Sequence, residues 1–355
     1  MDLFQYFDDL KDIQNILLDY IDDLGDSEDI CQNLIQITNN FNFSIGISQF
    51  KIFIYILSAI SANHHRDSTF FSKIYKIINY FRDDIQKYFT SSEIFDFFKE
   101  NKPIILYLID EKIITLDDQL LKIMKNDPYF FSPESSIDNQ EYFEEKRRIG
   151  ENDSYICSLI RQDSIVEFVV YVNQTNLSLS KTLKKSIFET NSFLMNKETT
   201  IFEYSAFFGS IQIFNYLLLN KVTPTPSLWM YAIHSNNPEM IYAIERLQIK
   251  PEDPSYEECL IESIKCHHND IANYIKNNLM NEDDLEFKAN YVFDNNFNKH
   301  CYCYYNFSLL DLNAIDHKFN FFYWCEFGFF NLVKFYVENK KVDLYETVIL
   351  NSKIE

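Results

Sequence analysis

Apolar residues recur at helical spacing along most of this chain. Tyr6, Phe7, Leu10, Ile13, Leu17 and Ile21 mark one face of a first helix, and residues 1–40 read as two helices. Residues 46–62 are apolar almost all round, which predicts a buried helix. His64-His65-Arg66-Asp67 reads as a loop before a helix over about 70–88. Thr90 with Glu93, and Thr200 with Glu203, have the spacing of capping boxes, in which the hydroxyl takes an orphan amide and the carboxylate reaches back. Pro103 opens another helix at the position where a missing amide costs nothing. Residues 126–140, with Pro128, Pro133 and paired serines, read as a boundary. The expected organisation is an N-terminal helical domain over 1–130, a linker over 131–149 and a repeat region over 150–355. Within 281–313 the periodicity fails, leaving a helical start near Tyr291 and an alternation over 302–307 that suits a short strand.

The stretch 200–221 is two short helical patterns joined at Gly209. Phe202, Ser205 and Ala206 give the first helix a compact inner face, and Ile213, Phe214, Tyr216, Leu217 and Leu218 put a broad stripe on the second. Neither could bury its apolar side alone, so the unit needs neighbours. The residue between the helices must take a left-handed backbone, which suits Gly best and Asn, Asp or His next. Sliding the unit along the chain places Asp163, Gly209, Asn236, His267 and Gly328 at that hinge, with steps of 46, 27, 31 and 61 residues. The predicted fold is all-α, an elongated solenoid of helical hairpins.

Thr-Ile-Phe-Glu-Tyr-Ser-Ala-Phe-Phe-Gly-Ser-Ile-Gln-Ile-Phe-Asn-Tyr-Leu-Leu resembles an ankyrin repeat, with 229–245, 260–276 and 321–337 as further copies. Lys146-Arg-Arg-Ile-Gly-Glu-Asn-Asp-Ser-Tyr-Ile-Cys and Ser263-Ile-Lys-Cys-His-His-Asn-Asp are similar to the divergent ankyrin-like proteins, with a domain of unknown function, expanded in flagellate protists such as trichomonads. The ankyrin Pro is Ile201 here, and its His is Glu203, Met230, Ile261 or Phe322. The resemblance implies a protein-binding concave surface formed by residues just before each hinge. These are Phe207 and Phe208, His234 and Ser235, Lys265 and Cys266, and Glu326 and Phe327.

Composition narrows the function classes. Lys plus Arg number 32 against 53 Asp plus Glu, a net charge of −21. Phosphate backbones demand basic patches, so nucleic acid is not an expected partner. The acidic N-terminus is unlike a signal peptide, and the longest apolar run, near 52–60, is too short to span a bilayer. Seven scattered Cys read as reduced thiols of a cytoplasmic protein. With 5 Gly there is no phosphate-cradling loop, no nucleophile elbow appears, and Asp283-Asp284 are adjacent rather than paired across a face. No catalytic residue, cofactor or metal is expected, and a small-molecule ligand is not favoured. Cys259, Cys266, His267, His268, His300, Cys301 and Cys303 are the strongest zinc candidates, but His300-Cys301-Tyr302-Cys303 is spaced too tightly. The expected function is a non-catalytic scaffold that binds a protein partner, the alternatives being a zinc protein or enzyme and a purely structural spacer.

Overall fold

A computed structural model describes residues 3–22, 27–40, 47–125, 140–195, 197–280, 291–310, 317–329, 332–334 and 337. Pro128, Pro133, the linker residues 131–139 and the tail from Val342 lie outside the described residues. Among the described residues the fold is all-α, and the one β pairing is the isolated Thr182–Thr200 bridge. The chain divides into two compact units, Ile60–Leu279, and Met1–Ala59 with Met280–Glu355. This division differs from the expected 1–130, 131–149 and 150–355 partition in joining α1 to residues near Asn306, 292 residues on from Gln14.

The discontinuous unit contains α1 (Leu3–Ile21) and α2 (Ser27–Asn40), packed on each other. A later helix, Tyr291–Cys303, precedes a 3-10 turn at Phe307–Leu309 and the helix His317–Glu326. No strand forms over 302–307. Instead Tyr305 takes φ 54 and ends the helix, with Asn306 N–H donating to the Cys301 carbonyl at 2.8 Å. Gln14 of α1 binds this corner: its Nε2 donates to Asn306 Oδ1 at 2.9 Å and its Oε1 accepts from Phe307 N at 2.6 Å. Phe7 packs nearby against Tyr302, Phe307 and Trp324. A side chain with one donor and one acceptor end, both buried, closes the corner where the apolar rings converge.

In the continuous unit, α3 (Ile47–Asn63, which belongs to this unit from Ile60), α4 (Phe70–Tyr80), α5 (Arg82–Tyr88), α6 (Ser91–Phe98), α7 (Lys102–Asp110) and α8 (Asp118–Met124) precede the repeats. The expected single helix over 70–88 breaks at Phe81, and the Thr90–Glu93 capping box is formed. The last ten residues of the expected linker are α9 (Gln140–Ile149), which packs on α7.

Four helix pairs follow. They are α10 (Tyr155–Arg161) with α11 (Ile165–Thr175), α13 (Ile201–Phe207) with α14 (Ile211–Leu219), α15 (Leu228–His234) with α16 (Pro238–Arg246), and α17 (Glu257–Lys265) with α18 (Asn269–Tyr274). The short helix α12 (Ser192–Met195) sits between the first two pairs. The first helices stack in order, α10 on α13, α13 on α15 and α15 on α17.

Between the helices of each pair stands one left-handed residue: Asp163 (φ 47), Gly209 (φ 66), Asn236 (φ 49) and His267 (φ 60); Gly328, after the helix His317–Glu326 of the other unit, has φ 78. At Gly209 the Ser210 amide reaches the Ser205 carbonyl at 2.9 Å and the Gly209 amide reaches Ala206. That is the Schellman ending, and Asp163 and His267 reproduce it. The residue after the hinge then ties one pair to the pair before it. Ser210 Oγ donates to the Ile160 carbonyl at 2.5 Å and His268 Nδ1 to the Ile233 carbonyl at 2.6 Å, each acceptor three residues before its own hinge. Asn237 Nδ2 donates to the Gly209 carbonyl at 3.2 Å. Asp163 returns the contact, accepting the amides of Gln212 and Ile213 at 3.0 Å each, so its carboxylate caps α14 from the neighbouring pair.

Two substitutions test this arrangement. A Cβ at Gly209 would stand 3.1 Å from Asn237 Nδ2 and 3.2 Å from Asn237 Cβ in left-handed backbone, so Gly209→Val should lower stability by about 1–3 kcal/mol. Asp163→Ala uncaps α14 and should cost about 0.5–2 kcal/mol. Urea unfolding of both variants measures these losses; a silent Gly209→Val would discard the repeat register.

Candidate interaction groove

The hinge rule places two residues of each first helix immediately before its turn. For Asp163 these are Arg161 and Gln162, and for Gly209 they are Phe207 and Phe208. Arg161, Gln162 and Phe208 line an open groove of about 990 Å³. Its other wall comes from His65 to Phe71 before and at the start of α4, and from Glu141, Glu144, Glu145 and Arg148 on α9.

Arg161 organises the floor. Its Nε lies 2.7 Å from Glu151 Oε2, and its Nη1 donates to the Asn152 carbonyl and the Tyr204 hydroxyl at 2.8 Å each. The guanidinium carbon stands 6.0 Å from the centre of the Phe208 ring. The planar fork thus fixes both a carboxylate and an aromatic face. Arg66 lies deeper. It is 8% exposed, and its Nη1 donates to Thr190 Oγ1 at 3.1 Å. Its Nε and Nη2 have no partner among the described residues, and burial lowers its affinity for a proton against the opposing pull of Glu189 and Glu151. Beside it is a cavity of about 10 Å³, also lined by Glu189, Phe207 and His234, which is room for one water molecule. Burial raises the pKa of the Glu189 and Glu151 carboxyls, countered by hydrogen bonds from Asn191 and Asn152 for the first and by Arg161 and Arg66 for the second.

The expected surface residues divide. Phe208 and Lys265 remain partly exposed in this unit, and Glu326 (exposed) and Phe327 (partly exposed) belong to the discontinuous unit. Phe207, His234, Ser235 and Cys266 are buried, at 5, 2, 4 and 0% exposure, and so are removed from any accessible surface. The reason is local packing. Phe207 stacks on His234 with centroids 4.9 Å apart, and His234 lies 4.2 Å from the Phe193 ring of α12. The segment bearing Phe193 covers the seam that the pattern alone left open. Conversely, Arg161 and Gln162 follow from the same rule once it is applied at Asp163, whereas Arg66 and the acidic face of α9 carry no repeat signal.

Four of the chain's seven histidines, His64, His65, His234 and His268, lie close together in this unit. His234 Nε2–H donates to Glu262 Oε1 at 2.9 Å, leaving Nδ1 to accept the Cys266 thiol at 3.4 Å. His268 is hydrogen-bonded to Ile233, accepts the His65 amide at 3.4 Å, and lies edge-on to His64 at 4.8 Å. His64 Nδ1 donates to the Cys266 carbonyl. Among the described residues, His234, Glu262 and Cys266 are the group whose atoms come close enough to hold a metal ion. The ring presents opposite nitrogens to the thiol and the carboxylate, however, and Lys265 Nζ sits 2.9 Å from the same Glu262 oxygen. The donors form a hydrogen-bonded chain rather than ligands converging on one centre. Burial raises the Cys266 thiol pKa well above its ordinary value, and the fully buried sulfur has no path to a substrate. Of the other zinc candidates, Cys259, His267 and His268 are buried in this unit, while His300, Cys301 and Cys303 belong to the other.

Comparison of the chain with family models, with curated proteins and with solved structures gives no match in any of the three. No helix among the described residues is long and apolar enough to cross a membrane.

The buried histidines make stability pH-dependent. Burial lowers the pKa of His234 and, further, of His268 from an ordinary value of 6.5. The unfolded chain therefore binds protons that the folded chain refuses, and stability present above pH 6.5 is lost as pH falls, by up to about 1.4 kcal/mol per pH unit for each histidine. Glu262 is opposed by burial but held down to about 2 by His234 and Lys265, so its contribution is complete above pH 4.5 and fades only between there and pH 2. Urea unfolding at pH 7.5 and 5.5 should show the histidine loss, and His234→Gln should remove part of the slope.

Proposed function

We propose that the helix pairs from residue 150 onward form a divergent ankyrin-like stack and that the protein is an intracellular, non-catalytic scaffold for a protein partner. The groove beside Phe208 is the observation that carries this reading. It combines residues from two successive hinges with an aromatic ring partly open to solvent and braced by Arg161. Pre-hinge residues vary with the partner in ankyrin-like modules, and aromatic and arginine side chains are the commonest anchors of protein interfaces. The elongated solenoid is part of this proposal, supported by the in-order stacking of first helices and by the hydrogen bonds from each post-hinge residue to the preceding pair.

The groove's chemistry favours a basic segment of the partner. Asp67, Glu141, Glu144, Glu145 and Glu151 line it against Arg66, Arg148 and Arg161. Arg66 is buried, and the Arg161–Glu151 and Arg147–Glu144 pairs cancel within themselves, which leaves Asp67, Glu141 and Glu145 against Arg148.

Partners captured from the source cell lysate by the full chain would be compared with those captured by Phe208→Ala. The variant should melt close to the wild type yet bind its partner more weakly by about 2 kcal/mol, roughly thirtyfold. Equal binding by the two proteins would exclude the groove. Stoichiometric zinc that survives dialysis would favour the metal alternative instead.

A further inference from the structure

The hinge register also aligns the second helices of neighbouring pairs. At the first seam Phe168, five positions after Asp163, stands edge-on to Tyr216, seven positions after Gly209, with ring centres 6.0 Å apart. α11 and α14 are packed on each other there. Between the third and fourth pairs the same register sets Ile241, five after Asn236, against Tyr274, seven after His267. An aliphatic side chain thus stands where the first seam has a ring. The first helices α15 and α17 remain packed, while the second helices α16 and α18 touch only sparsely.

The result is an open gap of about 300 Å³ between α16 and α18. Ile241 and Ile271, both buried, line its inner side, and the exposed rings of Tyr242 and Tyr274 line its edges. The Tyr274 hydroxyl donates to Glu245 Oε2 at 2.7 Å, which ties the two helices across the gap without filling it. Directly after Tyr274 the chain passes into a π turn, Ile275–Leu279, an irregularity frequent at functional sites. Two carboxylates, Glu245 and Asp270, belong to the lining, and no basic residue does. Arg246 lies outside it, 5.7 Å from the centre of the Tyr242 ring.

We propose that this gap is a docking site for a segment of a partner protein in which an aromatic side chain stands beside a lysine or arginine. The incoming ring takes the place that Phe168 fills at the first seam, between Ile241, Ile271 and the two tyrosines. Aromatic rings in such settings pack edge-on or offset, as Phe168 and Tyr216 do. The neighbouring cation meets Glu245 and Asp270 at the rim, which orients the segment and speeds its encounter. The volume is at the small end for ligand pockets and suits one anchoring side chain. The gap shares no residue with the groove beside Phe208, and neither site requires the other.

Saturation-transfer NMR titration of the full chain with the capped tripeptide Lys-Phe-Lys tests the assignment, with Lys-Ala-Lys and Glu-Phe-Glu as controls. Lys-Phe-Lys should bind about fivefold or more tightly than either control, the first separating the ring from general attraction of a basic peptide to an acidic chain. Ile241→Phe places the ring of the first seam inside the gap, so it should melt no lower than the wild type and abolish the preference for phenylalanine over alanine. Tyr274→Ala removes an exposed wall and should reduce that preference with the fold intact, which keeps the test decisive if Ile241→Phe does not fold. Equal binding of the Phe and Ala peptides, or a preference that survives both variants, overturns the site. Loss of the preference in Phe208→Ala alone would assign the ring to the other groove and overturn it too. Dimerisation that Ile241→Phe abolishes would make a second copy the occupant and overturn the basic segment.

Discussion

The continuous unit depends on a single backbone constraint, a left-handed residue between the two helices of every pair. That residue turns the chain sharply enough for the second helix to pack back on the first, and at Asp163, Gly209 and His267 the Schellman hydrogen bonds satisfy carbonyls that a simple helix end would leave open. It also sets the direction of the residue after it. Ser210, Asn237 and His268 are different side chains, yet each donates to a backbone carbonyl of the preceding pair. The chemistry of the link varies because the backbone fixes where a donor must stand. Three residue types can meet the same demand.

Polar burial follows from the same geometry. Aromatic rings fill the seams of this chain, and rings leave few places for water. The groups that remain inside are therefore those that can be satisfied by neighbours: the neutral imidazoles of His234 and His268, and Glu189 on backbone amides. Arg66 is an exception, a guanidinium with one edge bonded and a cavity the size of a single water beside it. Its charge is opposed by Glu151 and Glu189, and with Arg161 on Glu151 the two arginines and two glutamates balance.

Much of the local structure was legible in the sequence. Asp163, Gly209, Asn236, His267 and Gly328 stand out because few residue types tolerate positive φ, and the capping boxes at Thr90 and Thr200 are strict spacings. The fate of Phe207 and His234 was not legible. They are covered by Phe193, from a segment outside the repeat, and no periodicity announces such a lid. The alternation over 302–307 imitated a strand, but the backbone there is a helix end, a left-handed Tyr305 and a 3-10 turn, and burial does not follow the alternation. The division into units was hidden for a different reason. Gln14 and Asn306 are 292 residues apart, and pairings at that distance leave no pattern in a window of the chain.

That same pairing sets an order on biosynthesis. Gln14 of α1 leaves the ribosome 292 residues before its partner Asn306. At translation speeds of about 5–20 residues per second, the wait is roughly 15–60 s, far longer than helices need to form and pair. The helix pairs of the continuous unit can assemble during that interval, each on the one before. The face of α1 that meets Tyr302, Phe307 and Trp324 cannot be buried against them until those pairs have been made, so it needs shielding while the chain is still being synthesised.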